Sequence, residues 1–210
     1  PVSMPWLDNS KAILQSWFGG QEYGNSLVDL VFGKVNPSGK LPTTFPVKIE
    51  DTPAFDCYPG KNSQMDYEEK LLVGHRWYEK KNIKPLFPFG FGLSYTNFSF
   101  SNLELNKKDG YNIDCKFKLK NLGKMDGRDV AQCYVSFSDA AKDEPLKSLQ
   151  SFKKVFIKKD SEVEVKLSLN KRNFSYWDVE KKDWVVKSGK YTISIGSSSE
   201  HIELKEEVIL

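Results

Sequence analysis

The sequence predicts an α/β segment followed by an all-β, antiparallel β-sandwich. Three observations carry this prediction. Over residues 8–32 apolar side chains recur at helical spacing, and a short strand and Gly- and Pro-broken chain follow to about residue 95. From Asn97 onward the pattern switches to period two. Turn sequences then divide that second half into short runs with no helical window between them, the signature of a sandwich.

The α/β segment comes first. Residues 8–32 are predicted to be helical: Asp8, Asn9 and Ser10 offer N-caps, and Ala12, Ile13, Leu14, Trp17 and Phe18 follow at helical spacing. Gly19-Gly20 interrupts the run, and Leu27, Val28, Leu30, Val31 and Phe32 resume an apolar face. Gly33 and Asn36-Pro37-Ser38-Gly39 stop it with turn chemistry. Leu41 to Phe45 is a short strand ended by Pro46, and 47–66, rich in Pro, Asp, Gly and Asn, is a surface loop. Residues 67–78 and 85–95 are dense in aromatics and glycine, and eleven aromatics between Phe55 and Phe100 must pack against something substantial. One helical pair and one strand cannot make a doubly wound sheet, so these residues are expected to be the tail of a larger α/β domain. The first residues, Pro1-Val2-Ser3-Met4-Pro5-Trp6, carry no initiator Met, basic region or apolar leader, which leads to the same expectation.

The β half follows. Strands are predicted at Phe98–Leu105, Tyr111–Leu119, Asp129–Phe137, Ser148–Ile157, Glu162–Leu169 and Lys190–Gly196, with a hairpin pairing Trp177 and Trp184 across a charged turn. Cys115 and Cys133 fall in the inward-facing sets and are expected to be buried free thiols; Cys57 has no CxxC partner. By their inward positions, most of Phe117, Tyr134, Phe137, Phe152, Phe156 and Tyr191 are assigned to the core rather than to a sugar-binding surface.

Composition excludes several functions. With 210 residues, 39% hydrophobic, the chain amounts to one large or two small domains. A net charge of +3, made of Lys interleaved with acids, is a solvated surface and no nucleic-acid footprint. No run of about 18 apolar residues exists to span a membrane. His75 and His201 lack ligand neighbours at metal spacing, so no metal and no cofactor is expected.

Candidate chemistry is sparse. Glu68-Glu69 is a carboxylate pair, but neighbours in an extended segment point to opposite faces, whereas glycosidase carboxyls converge at about 5–10 Å. A structural role is therefore assigned to the pair, with Arg76 a candidate partner near Asp66 and Tyr67. Ser94 and His75 lie in no nucleophile elbow. Gly90-Phe91-Gly92 lacks the strand-to-helix context of a phosphate loop and fits a tight aromatic-lined turn. Asn97-Phe98-Ser99 and Asn173-Phe174-Ser175 are glycosylation sequons, meaningful only in a secreted chain. They point to secretion and the three thiols point away from it, so the sequence assigns no compartment.

Longer motifs resemble a known family. Met4-Pro5-Trp6, Trp17-Phe18-Gly19-Gly20-Gln21-Glu22-Tyr23-Gly24-Asn25 and Asn36 through Pro46 are similar to glycoside hydrolase family 3. Tyr67-Glu68-Glu69, Val73-Gly74-His75-Arg76-Trp77-Tyr78 and Pro85 through Thr96 continue the resemblance in order. The second half resembles the fibronectin type III-like domain that closes many β-glucosidases of that family, through Lys120 to Lys124, Val130 to Val135, Leu149 to Phe156, Asn173 to Asp178 and Trp184 to Ser199. His75 and Trp77 stand where Tyr is common, and Cys133 where Leu is common.

The resemblance implies a division at 95/96: the C-terminal part of the family's α/β sandwich domain in 1–95, and a fibronectin type III-like domain in 96–210. It implies retaining, exo-acting hydrolysis of a terminal β-linked glucose through a covalent glycosyl-enzyme. The nucleophile Asp and acid/base Glu of the family match segments expected upstream of Pro1, so no residue here is assigned a catalytic role. A β-xylosidase or related exo-hydrolase of the same family, and a non-catalytic carbohydrate-binding or adhesion sandwich, are the alternative expectations.

Overall fold

The computed structural model describes residues 1–62 and 64–210. Strands β1 (Phe98–Lys107), β2 (Ile113–Asn121) and β5 (Glu162–Leu169) form one antiparallel sheet in the order β1-β2-β5. β3 (Gly127–Phe137), β4 (Ser148–Ile157), β8 (Lys190–Gly196) and β9 (Ile202–Ile209) form the second, in the order β4-β3-β8-β9. β6 (Ser175–Asp178) and β7 (Asp183–Val186) make a separate hairpin in which Trp177 pairs with Trp184, as predicted.

Alternation selects the core. β2 turns in Ile113, Cys115, Phe117 and Leu119, and β5 Val165, Leu167 and Leu169. They meet Ala131, Cys133, Tyr191, Ile193 and Ile195 of the opposing sheet. Phe100 stacks on Phe117 with ring centroids 6.1 Å apart. Cys115 and Cys133 are both fully buried and unbridged, as expected of small hydrophobes. Asp114 of β2 takes Lys108, Lys166 and the Ser168 hydroxyl at 2.6, 2.8 and 2.7 Å, which holds its carboxyl well below the usual range. All six predicted strands form.

The structure corrects the prediction at five places. First, the helix expected over 8–32 shrinks to α1 (Tyr23–Val31), preceded by a 3₁₀ turn at Leu7–Asn9 and irregular chain from Ser10. A short amphipathic helix needs a surface to pack on, and Phe18 is fully exposed. Second, the strand at Leu41–Phe45 is a single bridge, Phe45 to Phe87, because Pro42 and Pro88 have no N–H to give a ladder. Third, α2 (His75–Lys81) lies in the aromatic segment assigned no helix; it starts at Gly74 and stops at Asn82, whose φ of 53° is left-handed. Fourth, β9 lies outside the predicted strands; it is an edge strand of its sheet, with Glu203, Lys205 and Glu207 on one charged face. The fifth concerns Phe152 and Phe156. Their partners across β3 are Gln132 and Arg128, so they stand on the sheet's outer face, 66% and 46% exposed, and are no part of the core. Tyr134 is fully buried, but on that same outer face rather than between the sheets.

Candidate functional site

The outer face of β3 is where the two textures of the sequence meet. Period two sends Ala131 and Cys133 into the sandwich and Gln132 and Tyr134 outward. Gln132 is 3% exposed, and its amide is fully used: Nε2 donates to Gly90 O at 3.1 Å and Ser197 O at 2.6 Å, and Oε1 accepts from Tyr134 Oη at 2.7 Å. Gly90 sits at φ 80°, and a Cβ there would fall 2.1 Å from Gln132 Oε1, so the turn predicted at Gly90-Phe91-Gly92 can approach the strand only as glycine. Phe87 and Phe91 stack at 5.3 Å along that turn, and Ser199 N donates to Phe89 O at 2.9 Å beside it.

His75, at the start of α2, extends the contact. Its ring stacks on Phe89 at 4.9 Å and meets Tyr134 edge-on at 6.0 Å. Burial, then the Arg76 and Lys147 charges, lower its pKa from 6.5 to about 4, so it is neutral here. Burial, reinforced by Glu79, pushes the Tyr134 phenol up. Four residues on, Glu79 faces Lys147 Nζ at 3.0 Å; burial raises its pKa and Lys147 opposes the rise.

Two residues far upstream complete the seam. Asn36 Oδ1 accepts from Ser94 Oγ at 2.7 Å and Tyr95 N at 2.9 Å, while its Nδ2 donates to Asp126 O at 3.1 Å. Lys40 Nζ pairs with Asp129 Oδ1 at 2.8 Å and donates to Gly92 O at 2.9 Å, with both side chains largely buried. Thr96 Oγ1 donates to Asn121 Oδ1 at 2.5 Å, and Asn121 Nδ2 closes the sandwich end on Met125 O and Ile157 O.

The carboxylates singled out in the sequence are not brought together into a reactive pair. Glu68 is exposed, and Glu69 is half-buried with an enclosed, unpartnered Oε2. Among the described residues no ion pair joins Arg76 to Asp66, Glu68 or Glu69. Ser94 serves the Asn36 bond, and exposed His201 pairs with Glu203 at 2.8 Å. Asn97 is exposed, whereas the Asn173 amide is spent on Asn170 N and Gln150 O. The sequence places the seam residues Asn36, Lys40 and Gln132 in family motifs but gives them no role in a junction. Asn36 and Lys40 belong to a segment that looks like an ordinary helix stop, and Gln132 is one uncharged amide in a strand.

The geometry is that of a junction in which segment 36–96 and the β4-β3-β8-β9 sheet satisfy one another's polar groups. Residues 1–95 match the model of the glycosyl hydrolase family 3 C-terminal domain, and residues 129–199 that of a fibronectin type III-like domain. Thermostable beta-glucosidase B of Acetivibrio thermocellus is 46% identical over 99% of this chain, which spans 28% of that relative. A crystal structure of a Bifidobacterium adolescentis beta-glucosidase superposes on the whole chain with a TM-score of 0.95 at 38% identity, and the match covers 31% of that protein. Beta-glucosidase of Kluyveromyces marxianus, solved in complex with glucose, follows at a TM-score of 0.94 and 36% identity over the whole chain and 25% of its own. The chain thus spans about three-tenths or less of the relatives it matches. By sequence, by fold and by the order of its two parts, it belongs to glycoside hydrolase family 3.

Proposed function

We propose that this chain is the C-terminal part of a retaining, exo-acting β-glucosidase that releases terminal non-reducing β-D-glucosyl residues through a covalent glycosyl-enzyme. Residues 1–95 complete the α/β sandwich domain, and 96–210 buttress it as a fibronectin type III-like domain. The nucleophile Asp and the acid/base Glu belong to the polypeptide ahead of Pro1, and no residue of this chain touches the reacting atoms. The observation that carries the reading is the match of nearly the whole chain to proteins named as beta-glucosidases, at 36–46% identity. Two features support the scaffold role. The junction residues are consumed by one another, and adjacent Glu68 and Glu69 cannot span a glycosidic bond as converging carboxyls do.

The test is hydrolysis of aryl β-glucoside and aryl β-xyloside by the 210-residue chain and by the polypeptide that includes its preceding residues. The expected result is turnover of the glucoside by the longer polypeptide alone. Enzymatic turnover by the 210 residues themselves would place the chemistry inside this chain and overturn the proposal, and preference for the xyloside would overturn the substrate.

A further inference from the structure

The outer face of the β4-β3-β8-β9 sheet is only half covered. Gly90, Phe89 and His75 lie over Gln132 and Tyr134, which are almost completely buried. One strand away on the same face, Phe152 stands directly opposite Gln132 and is 66% exposed. Phe156 stands opposite Arg128, whose guanidinium lies 5.2 Å from the ring centroid, and is 46% exposed. β4 is an edge strand, a position that natural sheets guard with charge and keep free of large apolar side chains. Two phenylalanines four residues apart on one face of such a strand span about 13 Å, and both leave a large part of the ring in water.

We propose that this ledge, Phe152 and Phe156 with Arg128, seats a segment of the polypeptide that precedes Pro1. The inference rests on the reading above that such a polypeptide exists. Three observations select this occupant. The ledge continues, without a break in the sheet, the face already covered by residues 75–92 of the same chain. The relatives that match this chain are more than three times its length. Arg128, Lys153 and Lys154 line or flank the two rings, and Asp129 nearby is already neutralised by Lys40. The occupant is therefore apolar where it meets the rings and acidic at its margin. The face is thus a second contact of the sandwich with the body of the protein, separate from the Gln132 seam.

The photoreactive side chain p-benzoylphenylalanine, placed at position 152 or, separately, 156 of the longer polypeptide, keeps the aromatic bulk and reports what touches it. After irradiation and peptide mass mapping, adducts to residues ahead of Pro1 are expected from both positions. Adducts confined to residues 1–210, adducts that double the mass on a denaturing gel, or no adduct from either position would each overturn the proposal. Aryl β-glucosidase activity of the same preparation tests the underlying reading separately. Activity without upstream adducts removes the ledge alone, and upstream adducts without activity remove the enzyme reading alone.

Discussion

At Lys40 and Asp129 a single bond of the seam can be weighed. Both side chains are largely buried at 2.8 Å, and Lys40 also donates to Gly92 O. Removing one partner of such a pair leaves an uncompensated buried charge and typically costs about 3–5 kcal/mol. Lys40→Met is therefore expected to lower the urea midpoint sharply, and adding Asp129→Leu to restore much of the loss; equal loss in the single and double variants would show that the ion pair is not the source. His75 titrates in the opposite sense to a paired base. Its folded pKa of about 4 lies below its ordinary 6.5, so the unfolded chain binds the extra proton between those values. Its contribution is present in full above pH 6.5 and is lost as pH falls toward 4, a swing of about 3 kcal/mol. Urea unfolding of the wild type across that window should show this slope, and His75→Phe, which keeps the stack on Phe89 and cannot titrate, should flatten it. Glu79, whose pKa burial raises, pulls the other way in both proteins and so cancels in the comparison.

Among the elements, α1 and the strands differ most in what surrounds them. α1 is nine residues long and buries none of them, while β2 buries Ile113, Cys115, Phe117 and Leu119. Isolated helices of that length are marginal in water. Backbone amides of 23–31 are expected to exchange with deuterium nearly as fast as in an unstructured peptide in the 210-residue chain, and to be protected in the longer polypeptide. Protection in the short chain would mean that α1 is stable without a covering partner. The same contrast explains what could be read from sequence. Strand positions follow from alternation wherever one face is buried and the other wet, so all six predicted strands appear and Trp177 meets Trp184. The helix over 8–32 failed because periodicity reports an apolar face and not whether anything covers it; Phe18 has the pattern without the partner. Phe152 and Phe156 failed for a related reason, since apolar identity at alternate positions implied the core while the pairing with Arg128 and Gln132 put them outside.

For the molecule as a whole, the family could be read from ordered motifs and the junction could not. Asn36, Lys40, Gly90 and Gln132 are scattered over nearly a hundred residues, and only the folded chain brings them together. Each is of a type that also suits a turn or a wet strand face, so neither spacing nor composition singles it out. The seam also predicts how the chain can be divided. A piece beginning at residue 33 retains Asn36, Lys40 and Gly90 and is expected to melt at a higher temperature than one beginning at residue 96; equal melting temperatures would show the seam to be energetically neutral. The Gln132 amide carries this further. It presents one acceptor to a tyrosine and two donors to carbonyls, inside a gap that only glycine leaves open. A sandwich transplanted from another family member, or recruited by recombination, would have to bring an amide at this position to a host with a glycine turn. Chimeras joined between Gly90 and Gln132 take the two halves of that match from different parents, whereas those joined ahead of Asn36 inherit both from one.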